Sequence, residues 1–205
     1  MSDYVGDNAW IPKDDADAQV TKLIWSTKKV NDLILALDQG YRPKVALPFY
    51  EGKQFLRKGN IVFEYTDDEI QELAKCASDI VYFAEKYAVV MTDEGIRRVQ
   101  LRDYQKEMLR NFQNERFNIV LASRQMGKTV TASIFNAWYL TFQVDKNTLL
   151  LANKSDSTKE IIDKAKTVIE NLPFFMKPGI VKYDVMNVKC DNGCRLVGQA
   201  TTAKA

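Results

Sequence analysis

Asn118-Ile119-Val120-Leu121-Ala122-Ser123-Arg124-Gln125-Met126-Gly127-Lys128-Thr129 carries a short apolar run directly into a Gly-Lys-Thr turn. Read as [A/G]-x-x-x-x-G-K-[S/T], with Ala122 in the first position, the spacing is that of a Walker A phosphate-binding loop. Each residue type has a physical task there. A buried strand over residues 118–122 would deliver the chain to a turn whose successive N–H groups converge on an anion. The helix that follows points its positive end at the same place. Lys128 is then expected to bring a charge to the β/γ-phosphates, and Thr129 to offer a hydroxyl to Mg²⁺. Ser123, Arg124, Gln125, Met126 and Gly127 complete the expected binding loop. Val130, Ile134, Ala137, Trp138 and Thr141 continue at helical spacing, which meets the requirement for a helix after the turn.

Composition narrows the chemistry. With 46% hydrophobic residues in 205, the chain has enough apolar material for a substantial core. A net charge of +2 argues against a strongly basic nucleic-acid glove. There is no histidine, so Ser-His-Asp and Cys-His hydrolytic mechanisms are excluded. Cys76, Cys190 and Cys194 are too few and too irregular for a disulfide framework and read as reduced thiols. Without histidine a zinc site would have to find ligands the chain barely has. No segment reads as a signal peptide or membrane span, so a soluble, intracellular protein is expected.

Along the chain, Asp3, Asp7, Asp14, Asp15 and Asp17 mark an acidic lead-in on which Trp10 and Ile11 could dock to the body. Residues 20–37 have helical spacing, with Gly40 as the stop. Residues 41–59, with Pro43, Pro48, Gly52 and Gly59, predict an irregular connection. Thr66-Asp67-Asp68-Glu69 is a capping box opening one helix whose stripe runs from Ile70 through Leu73, Ala77, Ile80 and Val81 to Ala84. Two short strands around Thr92-Asp93-Glu94 and a helix over 103–114 follow. Residues 148–152 predict a second buried parallel strand, and Ser157 with Glu160 predicts the next helix cap, with that helix ending at Pro173. Short strands are expected at 179–183 and on both sides of Asn192-Gly193, a hairpin signal that would bring Cys190 and Cys194 face to face. The alternation predicts an α/β fold with a parallel sheet. The division expected is a helical segment over 1–90 and the front of an ATPase domain over 91–205.

After the loop, no apolar run closes on Asp-Glu, the second acidic strand end that such an ATPase uses to hold Mg²⁺ and polarise water. The chain is therefore expected to be the front part of a longer protein, with negligible ATP hydrolysis on its own and an exposed strand edge prone to association.

Val99-Gln100-Leu101-Arg102-Asp103-Tyr104-Gln105, followed by the apolar run and Ser123-Arg124-Gln125-Met126-Gly127-Lys128-Thr129, resembles the large terminase subunit of T-even-type tailed bacteriophages. LLLANKS, ENLPFFMKPGIV and DNG further along agree. The resemblance implies a P-loop NTPase fold of RecA-like, ASCE type. It implies an ATP- and Mg²⁺-dependent motor, acting in the host cytoplasm, that drives double-stranded DNA into a procapsid. The implied partners are the portal protein, the small terminase subunit and further copies of the chain. The nuclease of that family is not encoded here. By the same resemblance, Arg124 and Lys128 act catalytically, Arg124 at the γ-phosphate, and Gln105 with Gln100 meets adenine. Arg124 alternatively makes a loop-fixing salt bridge, and Gln105 is alternatively an ordinary polar helix position. Two other functions are compatible with the loop: a helicase-like or remodelling ATPase, and a nucleotide-gated binding module without turnover.

Overall fold

The computed structural model describes residues 23–43 and 45–201, so the acidic lead-in with Trp10 and Ile11 lies outside the described residues. Strand β1 (Ile24–Trp25) precedes helix α1 (Thr27–Asp38), which the Ser26 side chain caps by accepting from Lys29 N. The helix expected over 20–37 thus starts at Thr27, because Ile24 and Trp25 pair in parallel with β4 (Val62–Phe63). Between them, β2 (Phe49–Tyr50) and β3 (Lys53–Arg57) form a hairpin where an irregular connection was expected. Glu51 and Gly52 both take positive φ (50° and 75°), which gives the tight turn the right twist to bring two strands together.

The Thr66 capping box is present and opens α2 (Asp67–Ser78). The stripe expected to run through one helix is divided at Asp79, whose side chain accepts from Val81 N and Tyr82 N and starts α3 (Ile80–Tyr87). An aspartate that satisfies orphan N–H groups favours a new start over helix continuation. The hairpin of β5 (Val89–Thr92) and β6 (Gly95–Arg98) leads to α4 (Asp103–Asn114), both at the expected places. Helix α5 (Lys128–Phe142) follows the loop, then β7 (Asn147–Ala152) and α6 (Ser155–Glu170). Helix α6 starts ahead of the expected cap, with Lys154 at the N-cap and Ser157 inside the first turn. A 3₁₀ turn (Phe174–Met176) leads to β8 (Ile180–Asp184), β9 (Asn187–Cys190) and β10 (Arg195–Ala200).

The main sheet runs β7-β10-β9-β8. Only β7 with β10 is parallel, and β10–β9 and β9–β8 are antiparallel, so the fold is mixed α/β rather than one parallel sheet. The Asn192-Gly193 turn joins β9 to β10, with Cys190 N donating to Cys194 O at 2.9 Å. Both cysteines, and Cys76, are buried free thiols. Strand β7 lies at the sheet edge and is not buried on both faces: Leu149 and Leu151 are exposed while their neighbours turn inward.

The largest departure is at residues 118–122. They form no strand, and Ile119 and Leu121 are 94% and 96% exposed. Among the described residues no strand pairs with them. Apolar content favours burial, but a strand exists only through hydrogen bonds to a neighbouring strand, and here there is none. A cavity of about 280 Å³ separates this segment from α4, lined by Met108, Phe112, Ile119 and Leu121 among others.

One core joins α2 to α6 and the main sheet through Cys76, Phe83, Leu109, Ile134, Trp138, Ile162 and Leu196. Its members lie on both sides of residue 90. Trp138 Nε1 donates to Cys76 O at 2.8 Å across this core, tying α5 to the end of α2. No helix of the described residues is long and apolar enough to cross a membrane.

Candidate functional site

The loop before α5 is bent by two residues in the left-handed region, Gln125 (φ 62°) and Gly127 (φ 73°). Gly127 is the N-cap of α5 and offers no side chain to cover the helix start. Among the described residues, the N–H groups of Gln125, Met126, Gly127, Lys128 and Thr129 find no acceptor. Such unpaired donors at a helix start, beside the positive end of the dipole, favour an anion.

Lys128 Nζ folds back over the loop and donates to Ala122 O at 2.7 Å and to Ser123 O at 2.5 Å. Two carbonyls thus accept from the ammonium, and among the described residues no carboxylate pairs with its charge beside the unpaired N–H groups. Thr129 is half-buried one residue on, and its carbonyl accepts from Ser133 Oγ at 2.7 Å. Arg124 is exposed and makes no ion pair or hydrogen bond among the described residues, so the loop-fixing salt bridge is not formed.

Beside the loop lies a cavity of about 310 Å³, bounded by Val90, Val99, Gln100, Gln105, Gly127 and Val130 among others. This is at the small end of the range for ligand pockets, roughly 300–1,000 Å³. Its walls come from the β5–β6 hairpin, the approach to α4, the start of α5 and one face of α6. Gln100 is exposed, whereas Gln105 is only 7% exposed and already engaged. Gln105 Oε1 accepts from Arg102 N at 3.1 Å, and its Nε2 donates to Thr131 Oγ1 at 3.2 Å. An amide has four hydrogen-bonding positions, so two remain.

The structure therefore brings Gln100, Gln105 and Gly127 to one cavity wall. Lys128 faces the neighbouring space, together with Ala122 and the 118–122 segment. Ser123, Arg124 and Gln125 lie on the exposed arm of the loop, and Met126 is half-buried. Two participants had no role assigned from sequence. Tyr104 donates its hydroxyl to Met126 O at 2.9 Å, and Thr131 Oγ1 donates to Gly127 O at 3.1 Å. Tyr104 lies inside the quoted VQLRDYQ stretch. Thr131 carried no signal beyond its place one turn after Gly127. Lys164 and Thr167, three apart on α6, also face the cavity, and Lys164 is paired with Glu160.

A comparison with protein families bears on this region. The match begins at Ile119 and takes in the loop, α5, β7, α6 and the strands after it, and it does not include Gln100, Tyr104 or Gln105. Residues 119–204 match the model of the family described as terminase large subunit, T4likevirus-type, N-terminal.

Proposed function

We propose that residues 122–129 bind the phosphates of ATP with Mg²⁺, as the nucleotide site of a motor that packages double-stranded DNA into a procapsid. The observation that carries this reading is the loop itself. Among the described residues, N–H groups without an acceptor from Gln125 to Thr129 meet the start of α5, under an ammonium that donates to two carbonyls. In this reading the fold is that of a P-loop NTPase, and Lys128 exchanges its carbonyl partners for phosphate oxygens.

The cavity beside Gly127 accepts the base. Val90, Val99 and Val130 supply apolar surface for it, and Gln100 and Gln105 supply amide edges suited to adenine's donor and acceptor pattern. Arg124, exposed and unpaired among the described residues, would reach the γ-phosphate and stabilise charge that develops there. Among the described residues no cluster of His, Cys, Asp and Glu could hold a metal by itself. Mg²⁺ would therefore arrive with the nucleotide, coordinated by phosphate oxygens and water, with the Thr129 hydroxyl as the chain's contribution. Double-stranded DNA, a portal protein, a small terminase subunit and further copies of this chain are the proposed partners, on the strength of the family match.

The test is a titration of labelled ATP with Mg²⁺ against the wild-type chain and Lys128→Ala. The reading expects the variant to bind at least about tenfold more weakly, since a charge-assisted contact to phosphate is lost. Equal affinities would remove the assignment.

A further inference from the structure

The first turn of α4 holds the loop through two independent contacts. Tyr104 donates its hydroxyl to the Met126 carbonyl at 2.9 Å. One residue on, Gln105 Nε2 donates to Thr131 Oγ1, which donates in turn to the Gly127 carbonyl. The carbonyls of Met126 and Gly127, the last two residues before α5, are thus fixed, the first by Tyr104 directly and the second through Thr131. The two anchoring side chains are adjacent in sequence, and Gln105 also secures its own helix start by accepting from Arg102 N.

The peptide plane gives the Tyr104 contact a consequence beyond packing. In a trans peptide the C=O and N–H vectors point in opposite directions, and no peptide among the described residues is cis. Holding the Met126 carbonyl towards Tyr104 therefore turns the Gly127 N–H to the opposite side of the loop. That N–H is one of the donors left without an acceptor. Gly127, lacking a Cβ, has the widest backbone freedom at this point, and a flip of the 126–127 peptide would replace an inward donor by a carbonyl.

We propose that Tyr104 is a positioning residue for the phosphate site: its hydroxyl sets the Met126–Gly127 peptide so that the Gly127 N–H faces the bound anion. This rests on the nucleotide reading above and adds that a residue outside the loop presets it. Tyr104 acts on the phosphate half of the ligand and has no part in recognising the base.

The test compares wild type, Tyr104→Phe and Tyr104→Leu for affinity to Mg-ATP and to inorganic triphosphate with Mg²⁺, a ligand with no base. Thermal midpoints are measured alongside, with amide hydrogen exchange at Gly127. Tyr104→Phe is expected to weaken both ligands by the same factor, about fivefold for one hydrogen bond. Its midpoint should stay close to that of wild type, and exchange at Gly127 in the Mg-ATP complex should quicken. Tyr104→Leu should again weaken both ligands equally. A Tyr104→Phe protein that binds both as wild type does overturns the proposal. So does a loss for ATP with triphosphate unaffected in either variant, which would put Tyr104 at the base. A wild type that binds neither ligand overturns the nucleotide reading, and this proposal with it.

Discussion

A Cβ on residue 127 would stand 2.6 Å from Nε2 of Gln105, nearer than real Cβ contacts allow. Gly127 is thus favoured by its φ of +73°, and a Cβ there would also have to displace the Gln105 amide packed against it. Gly127→Ala should lose about 1–2 kcal/mol for the left-handed backbone alone. Displacing the Gln105 amide from Thr131 should add on the order of 1 kcal/mol. In a Gln105→Ala background the second cost disappears, so the same substitution should cost measurably less. Chemical denaturation of the four proteins of this cycle measures the coupling. Strict additivity would show that the two residues do not press on each other.

Arg124 should distinguish the last phosphate from the others. Its side chain is exposed and unpaired among the described residues, so truncation removes no fold contact. Arg124→Ala is expected to weaken ATP binding by about tenfold, the value of one charge-assisted contact, and ADP binding by less than about twofold. Equal losses for the two nucleotides would move Arg124 away from the γ-phosphate.

The Trp138–Cys76 hydrogen bond joins the loop's helix to the end of α2 inside the core. The Cys76 carbonyl lies in the last turn of α2, where carbonyls have no partner within their own helix. Trp138→Phe keeps an aromatic ring beside Phe135 and Phe142 but leaves that carbonyl buried and unpaired. The expected loss is about 1–3 kcal/mol in urea unfolding. A loss below about half a kcal/mol would show that the bond contributes little to the packing of α5.

Alkaline stability should report on Cys76. Burial, with Glu72 beside it, raises this thiol to about 12, against roughly 8.5 in an unfolded chain. A group whose folded value is raised contributes stability that is complete below the unfolded value and is lost as pH rises towards the folded one. Under reducing conditions, the wild type should therefore lose stability faster than Cys76→Ala as pH rises above about 8.5, by on the order of 1 kcal/mol per pH unit. Parallel pH profiles would contradict the shift.

What could be read from sequence was chemistry local to the chain. The Thr66 capping box, the Asn192-Gly193 turn and the helix over Asp103–Asn114 each depend on residues a few positions apart, and each is present. The departures have causes that are not local in that way. Residues 118–122 have the composition of a buried strand but no neighbouring strand among the described residues to pair with. Asp79 interrupted an apolar stripe that periodicity carried straight through, because a cap and a solvent-facing aspartate look alike in sequence. At the loop, the turn at Gly127 and the helix that follows it were legible from the spacing. The engagement of Gln105 was not, since Thr131, its partner, lies 26 residues away on another helix.

The most direct measurement is a crystal structure of this chain with a non-hydrolysable ATP analogue and Mg²⁺. The account predicts phosphate oxygens within hydrogen-bonding distance of the N–H groups from Gln125 to Thr129, Lys128 Nζ released from Ala122 O onto those oxygens, and the base in the cavity beside Gly127. An analogue bound elsewhere, or a loop without phosphate and Lys128 still held by the Ala122 and Ser123 carbonyls, would contradict it.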